Sequence, residues 1–241
     1  MITLAFDTAS DRCTVAATDG HRVAHRQLDG ARGHATAILS LLDEVLSEVA
    51  ATPRDVSLLL TGDGPGSFTG LRVSSTVAKA LAWGRRGITW RTAPSLLVRA
   101  AAHAAVEGST VLALSDALRG EVYAGCWRFR AGGLVASGPS PRAVAPEQLA
   151  SLFGPVDVVV GTVPEALHPL ITLATGRSIT GGETALPDAR TLLTLVAIDG
   201  VTTLVADAAS WEPVYGRPAE AQAVWERTHG RPLPPAPGLI R

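Results

Sequence analysis

The stretch GDGPGSFTGLRVSSTVAKALAWG, residues 62–84, joins a glycine-rich turn to a helical pattern. The apolar segment at residues 56–61 precedes it and predicts a buried strand, so the local order is strand, turn and helix. A glycine-rich turn before a helix is typical of phosphate-binding loops, because the free amides and the helix dipole attract anions. The stretch therefore raises the question of whether the chain binds a nucleotide.

The turn lacks the residues that common catalytic loops require. A Walker-type loop carries Lys-Ser or Lys-Thr after its last glycine, whereas Ser67 follows Gly66 directly, and Lys79 lies about three helical turns further on. A Gly-x-Ser-x-Gly nucleophile elbow is also excluded, since Pro65 and Thr69 stand where it needs glycines. Two interpretations of Ser67 remain: it caps the helix, or the turn amides hold an anion.

Outward from this stretch, the same order of elements occurs twice. The first half predicts strands at 2–8, 13–18, 22–28, 56–61 and 88–91, and helices at 34–50, 68–83 and 94–107. The second half predicts strands at 110–115, 121–130, 134–137 and 156–160, and helical pattern at 146–153 and 186–199. We expect an α/β fold with a duplicated βββαβα order, in lobes at residues 1–107 and 108–230, and a proline-rich tail at 231–241.

Composition limits the classes of partner and compartment. The 241 residues are 46% hydrophobic, enough to bury a sizeable core, and the formal net charge of −1 gives no basic face for binding nucleic acid directly. No apolar run is long enough for a membrane span, and residues 1–4 lack the basic flank of a signal peptide. Cys13 and Cys126 lie far apart in apolar runs, which predicts buried thiols and a cytoplasmic location. The histidine spacings predict no metal site.

Two helices carry more apolar or small side chains than one buried stripe needs. In helix 68–83 a face of small residues recurs every four positions: Gly70, Ser74, Ala78 and Ala82. In helix 34–50 the apolar positions are Ile38, Leu39, Leu41, Leu42, Val45, Leu46 and Val49. Either these faces pack within their own lobe, or they form an intermolecular helix bundle.

A single acid, Asp7, ends the first strand in the sequence FDTAS. A carboxylate at this position can orient a metal-bound water near a phosphate. A carboxylate that accepts hydrogen bonds from the amides of the following turn has the same sequence pattern. The sequence leaves both interpretations of Asp7 open.

Several separate motifs together resemble the TsaB (YeaZ) family. The matching motifs are LAFDTA at residues 4–9 with Cys13, GPGSFTGLR at 64–72 with Ala78 and Lys79, Asp116 with GEVY at 120–123, and EPVY at 212–215 with Arg217 and Pro218. The resemblance implies the two-lobed actin-like, Hsp70 and sugar-kinase (ASKHA) fold. The chain departs from the family pattern at Leu118, where an arginine is usual, and at Ser74, where glycine is common.

The resemblance also implies a role without chemistry of its own. TsaB-like proteins are partners of TsaD, the related subunit that transfers a threonylcarbamoyl group to N6 of the adenosine beside the tRNA anticodon. TsaD carries a His-x-x-x-His metal pair, whereas the corresponding residues 92–98 here contain no histidine. TsaB-like proteins also form homodimers and are joined by the TsaE ATPase. The resemblance thus implies a chain that is not an enzyme by itself. It also implies that the chain needs no cofactor, since ATP and metal belong to its partners, and that it contacts tRNA only through the complex.

The sequence therefore predicts a scaffold that binds a TsaD-like subunit through the faces of helices 34–50 and 68–83 named above. The alternative is a nucleotide-dependent phosphotransferase of the same superfamily, in which a nucleotide or anion site, otherwise vestigial, is formed by Asp7, Thr8, Gly64, Gly66, Ser67 and Thr69. A peptidase is a weaker alternative, since no Ser, His and Asp show the spacing of a triad.

Overall fold

The computed structural model describes residues 1–30, 34–84, 87–103, 107–130, 133–217 and 228–230. The proline-rich tail at 231–241 lies outside the described residues. In the first half the elements are β1 (Ile2–Asp7), β2 (Arg12–Thr18), β3 (Val23–Asp29), α1 (His34–Glu48), β4 (Val56–Gly62), α2 (Phe68–Gly84), β5 (Thr89–Ala93) and α3 (Ser95–Ala101). This order agrees with the sequence prediction.

The second half repeats the order with additional short elements. They are β6 (Thr110–Asp116), β7 (Val122–Arg130), β8 (Gly133–Ala136), β9 (Arg142–Val144), α4 (Leu149–Phe153), β10 (Val158–Thr162), α5 (His168–Thr175), β11 (Ile179–Thr180), α6 (Ala189–Leu195) and β12 (Thr203–Leu204). The helix predicted at 186–199 is shorter, because the Asp188 carboxylate accepts a hydrogen bond from the amide of Arg190 and caps α6 at its start. Sequence reasoning missed α5, β9, β11 and β12.

Each half builds a mixed sheet of the predicted kind. The first sheet has the strand order β12-β5-β4-β1-β2-β3, and the second β11-β10-β6-β7-β8, with β9 also paired to β7. In both sheets antiparallel hairpin strands are extended by strands that pair in parallel, β4 with β1 and β10 with β6. The predicted two-lobed α/β fold with a duplicated order is thereby confirmed. The lobe boundaries remain a prediction, although β12 attaches a late segment of the chain to the first sheet.

The helices distribute over outer and inner layers. On the outer face of the first sheet, α1 packs against β2, β3 and α2, while α2 also packs against β4. Between the sheets, α6 packs on β1 and β2, α3 packs on β6 and β7, and the two helices contact each other. Each half therefore supplies the inner helix that covers the other half's sheet, and one core cluster includes apolar residues of both halves.

Helix α2 approaches the end of β1 so closely that only glycine fits at the contact. A Cβ atom on Gly70 would lie 1.8 Å from the carbonyl oxygen of Thr8. The Thr8 hydroxyl in turn donates a 2.7 Å hydrogen bond to the carbonyl oxygen of Gly70. This contact sets the position of the first turn of α2 relative to the sheet.

Among the described residues, no helix combines the length and the apolar character that crossing a bilayer requires.

The glycine contact predicts a large difference between two glycines of the same helix. Gly70→Ala should lower the free energy of unfolding by about 2 kcal/mol or more, because the added methyl group overlaps the backbone of Thr8. Gly84→Ala is the matched control, since a Cβ there meets no atom within 4 Å. Urea denaturation of both variants measures the difference. Equal stability of the two variants would show that the close contact is not a constraint.

Candidate functional site

Backbone amides at the glycine turn between β4 and α2 form hydrogen bonds with other groups of the chain. The amide of Ser67 donates to the carbonyl oxygen of Ala9 at 2.8 Å, and the Ser67 hydroxyl oxygen accepts from the amide of Gly70 at 3.2 Å. The predicted capping role of Ser67 is therefore present in the structure. Two amides that could have held an anion are thus already bonded to oxygen atoms of the chain.

Backbone oxygens also enclose the turn from two sides. A Cβ atom on Gly66 would lie 2.0 Å from the carbonyl oxygen of Ala9, and one on Gly64 would lie 2.3 Å from that of Val214. Carbonyl oxygens carry partial negative charge and repel anions. Of the residues predicted for a nucleotide or anion site, Thr8, Gly64 and Gly66 are thus packed against protein, whereas Thr69 is exposed on α2.

Asp7 lies at the end of β1 and is fully buried. Its Oδ1 accepts a 2.8 Å hydrogen bond from the amide of Ala9, as in a carboxylate satisfied by the following turn. Its Oδ2 has no hydrogen-bond partner of normal geometry among the described residues. Burial raises the pKa of Asp7, and the Ser95 hydroxyl, the Ala9 amide and the charge of Arg99 partly oppose that rise.

The main charged group near Asp7 is an arginine that sequence reasoning missed. Arg99 on α3 is 2% exposed, and its guanidinium donates 2.6 Å and 3.0 Å hydrogen bonds to the carbonyl oxygen of Leu114 and the hydroxyl of Thr162. Burial lowers the pKa of Arg99 to about 10, while Asp7 opposes that shift. The signal in the sequence was a single arginine inside the otherwise uncharged helix SLLVRAA, in which the structure buries residues 95–100.

The cavity beside this arginine is very small. It has a volume of about 10 Å³ and lies between the halves, lined by residues such as Ser10, Ser95, Arg99, Ser115 and Pro187. A volume of this size holds about one water molecule. The geometry therefore offers a buried polar contact between the halves and no room for a nucleotide at this cavity.

The helix faces predicted to bind a partner lie mostly inside the molecule. Four apolar side chains of α1, and Val49 directly after it, are at most 4% exposed and belong to the core cluster of the first sheet; the four are Ile38, Leu42, Val45 and Leu46. In α2, the residues Gly70, Ser74 and Ala78 are buried. Leu41 of α1 and Ala82 of α2 are partly buried and pack against the same core cluster. For the buried members of the predicted interface this is a correction, since they are covered within the molecule. For Leu41 and Ala82, which stay partly exposed, the contact remains a prediction.

The outward sides of the same helices form an open groove instead. Its volume is about 480 Å³, and its lining is mostly apolar: Leu39, Phe68, Thr69, Arg72, Val73, Thr76 and Val77. Leu39 is 59% exposed and Phe68 47% exposed. Only Leu39 of this lining was among the apolar partner-contact residues predicted from sequence. We call this surface the α1–α2 groove.

The grouping of possible metal ligands and the burial of the cysteines are the next features of the described residues. No three His, Cys, Asp or Glu side chains within them are grouped as metal ligands. Both cysteines are buried and unpaired, as predicted. Burial raises the pKa of Cys13 to about 12 and that of Cys126 to about 11, which keeps both thiols protonated and unreactive near neutral pH.

A second carboxylate near Asp7 gives a pH prediction. Burial raises the pKa of Asp63 to about 6, opposed by a hydrogen bond from Thr92 and assisted by the charge of Asp7. The folded state thus keeps this proton to higher pH than the unfolded state, so the free energy of unfolding should fall as pH rises from about 4 to about 6.

Asp63→Asn should reduce this pH-dependent fall in the free energy of unfolding by at most about 3 kcal/mol. The contribution of Asp7, whose pKa is also raised by burial, should remain. Urea denaturation at pH 4.5 and pH 6.5 measures it in both proteins. An identical pH dependence in the variant would assign the effect to other groups.

Comparison with known proteins identifies relatives along nearly the entire chain. A family model described as "TsaD: tRNA N6-adenosine threonylcarbamoyltransferase" matches residues 25–139. The structure of YeaZ from Pseudomonas aeruginosa is 27% identical, with a TM-score of 0.73 over 89% of this chain and 99% of that one.

Curated sequences give the same result. The tRNA threonylcarbamoyladenosine biosynthesis protein TsaB of Escherichia coli (strain K12) is 32% identical over 95% of this chain and 98% of its own length. The protein of the same name from Haemophilus influenzae is 29% identical over 95% of this chain and 97% of its own. With similarity of this extent in sequence and in fold, the chain belongs to the TsaB family.

Proposed function

We propose that this chain is a non-catalytic scaffold subunit in tRNA threonylcarbamoyladenosine biosynthesis. It binds a TsaD-like catalytic subunit through the α1–α2 groove. Membership of the TsaB family supports the pathway. The observation that carries the scaffold role is the open apolar groove on two helices whose inner faces are already buried.

The groove has the character of a protein-binding surface. Its lining includes the apolar side chains Phe68, Leu39 and Val73, whose surface would lose contact with water on association. The guanidinium of Arg72 lies 5.7 Å from the centre of the Phe68 ring and supplies a polar edge. An apolar centre with a polar rim fits the side of a helix from the partner, as in recognition of a helix by a groove.

The proposal includes the other partners that the resemblance implies. A TsaE-like ATPase joins the complex, tRNA is contacted through the complex rather than by this chain alone, and the isolated chain pairs with a second copy. ATP and metal then act on the partner subunits, and the assembly works in the cytoplasm. The net charge of −1 supports indirect contact with tRNA, since direct binding requires several phosphate-neutralising side chains.

The second candidate is a nucleotide-dependent phosphotransferase, motivated by Asp7 and the glycine turn. Three observations support the scaffold over this enzyme. The amides of Ser67 and Gly70 are bonded within the chain, Oδ1 of Asp7 accepts a hydrogen bond from the Ala9 amide, and the cavity between the halves has a volume of about 10 Å³.

Charges placed in the groove should abolish binding without unfolding the chain. The double variant Leu39→Asp and Thr76→Asp changes two exposed side chains of the groove, so partner burial would leave two carboxylates without water. We expect loss of co-purification with the TsaD-like subunit. Aspartate at Leu42 or Val45 would be unsuitable, because it would disrupt the core.

Leu173→Asp is the matched control, since Leu173 on α5 is 85% exposed and distant in sequence from the groove. It should co-purify like the unaltered chain. Thermal denaturation of all variants verifies that they fold. If the folded double variant still co-purifies, the groove is not the interface.

Nucleotide binding separates the two candidate functions. Calorimetric titration of the isolated chain with ATP and Mg²⁺ should give no binding heat, because the turn is occupied by Ala9 and Val214. A titration in the presence of the TsaD-like subunit serves as the positive control. Micromolar affinity of the isolated chain would favour the phosphotransferase.

A further inference from the structure

The segment at residues 205–217 contacts β5 and then α2, where its partners are Lys79 and Phe68. It begins with the amide of Val205, which donates to the carbonyl oxygen of Trp90 at 2.9 Å. The Trp211 ring then lies 4.6 Å from the Trp90 ring, between centroids. Next, Glu212 pairs with Lys79 in the middle of α2 at 3.3 Å. The segment thus passes from Lys79 toward the N-terminal end of α2.

The end of this segment is anchored to both halves of the molecule. The amide of Val214 donates to the carbonyl oxygen of Asp63 at 2.8 Å, which ties the segment to the glycine turn. Gly216 fits closely between Pro65 and Tyr123, since a Cβ there would lie 2.6 Å from each. The guanidinium of Arg217 forms a 2.9 Å ion pair with a carboxylate of the second half.

Between these anchors, Tyr215 contacts the groove. Its ring lies 4.9 Å from the ring of Phe68, between centroids, with an interplanar angle of 35°. Phe68 is the first residue of α2 and lines the α1–α2 groove, and Arg72 covers its ring from one helical turn further on. Phe68 therefore makes ring contacts with Tyr215 and Arg72; Arg72 belongs to the same helix, whereas Tyr215 belongs to the segment at 205–217.

We propose that Tyr215 is a positioning residue for the docking groove: it holds the Phe68 ring in the orientation that receives the partner helix. This inference rests on the proposed function, because it assumes that the TsaD-like subunit occupies the groove. An exposed phenylalanine at the start of a helix has rotamer freedom that binding must remove. A ring fixed in advance by Tyr215 has already lost that freedom, so the surface is organised before the partner arrives.

The test measures the dissociation constant between the TsaD-like subunit and variants of the full chain. Tyr215→Ala should weaken binding about fivefold, the effect expected for the loss of one aromatic pair. Tyr215→Phe keeps the ring and should restore binding to within about twofold. If Tyr215→Ala does not fold, Tyr215→Leu replaces it, since leucine keeps apolar volume without the ring.

Trp211→Ala is the matched control in the same segment. It removes an aromatic contact with Trp90 that does not reach the groove, so binding should stay within about twofold even if thermal stability falls. A loss of affinity in Trp211→Ala equal to that in Tyr215→Ala would overturn the proposal in favour of general destabilisation. So would unchanged affinity in a folded Tyr215→Ala variant.

Two further measurements separate this inference from the proposed function. In the isolated chain, the NMR signals of the Phe68 ring should move in Tyr215→Ala and stay in place in Trp211→Ala, whatever the partner does. In the binding assay, the double variant with Tyr215→Ala and Phe68→Ala should bind little more weakly than Phe68→Ala alone, because both substitutions remove the same contact. Absence of binding by the unaltered chain refutes the proposed function, whereas normal binding with unmoved Phe68 signals refutes the role of Tyr215 alone.

Discussion

The contact between the first turn of α2 and the end of β1 is the constraint on which the site depends. Gly70 lies against the Thr8 carbonyl, and Gly66 lies against that of Ala9. These contacts bring the glycine turn onto the residues after β1, where the amide of Ser67 donates to the carbonyl oxygen of Ala9. They also fix the direction of α2, and with it the outward face that forms the α1–α2 groove. A turn that resembles a phosphate-binding loop in sequence thus positions the start of α2 against the residues after β1.

The sequence was sufficient to predict the longer strands, most of the helices and the duplicated order, because strand and helix periodicities are local properties. It missed α5 and the short strands β9, β11 and β12. It was not sufficient to predict which side of each exposed helix faces inward. Helix α1 is apolar over more than one stripe, so Leu42 and Leu39 look equivalent in sequence, yet the sheet covers Leu42 and leaves Leu39 exposed. Likewise, small residues every four positions in α2 indicate close packing but do not identify the neighbour, which is the chain's own Thr8 at Gly70.

The polar centre between the halves was predicted only at Asp7, since its other members come from distant segments. Arg99 lies on α3, its acceptors lie on β6 and β10, and Asp63 follows β4. No spacing along the chain relates them. A buried arginine is costly without acceptors, so its position within an apolar helix was a second local sign of a polar centre, besides Asp7.

The exchange of inner helices between the halves has a consequence for biosynthesis. The inner face of the first sheet is covered by α6, which the ribosome completes about a hundred residues after β5. Until then, the nascent first half exposes apolar surface around Ala5 and Leu60 that has no cover of its own. Each half therefore lacks the helix that covers the inner face of its own sheet, so a gene split between them would yield two fragments with that apolar face uncovered.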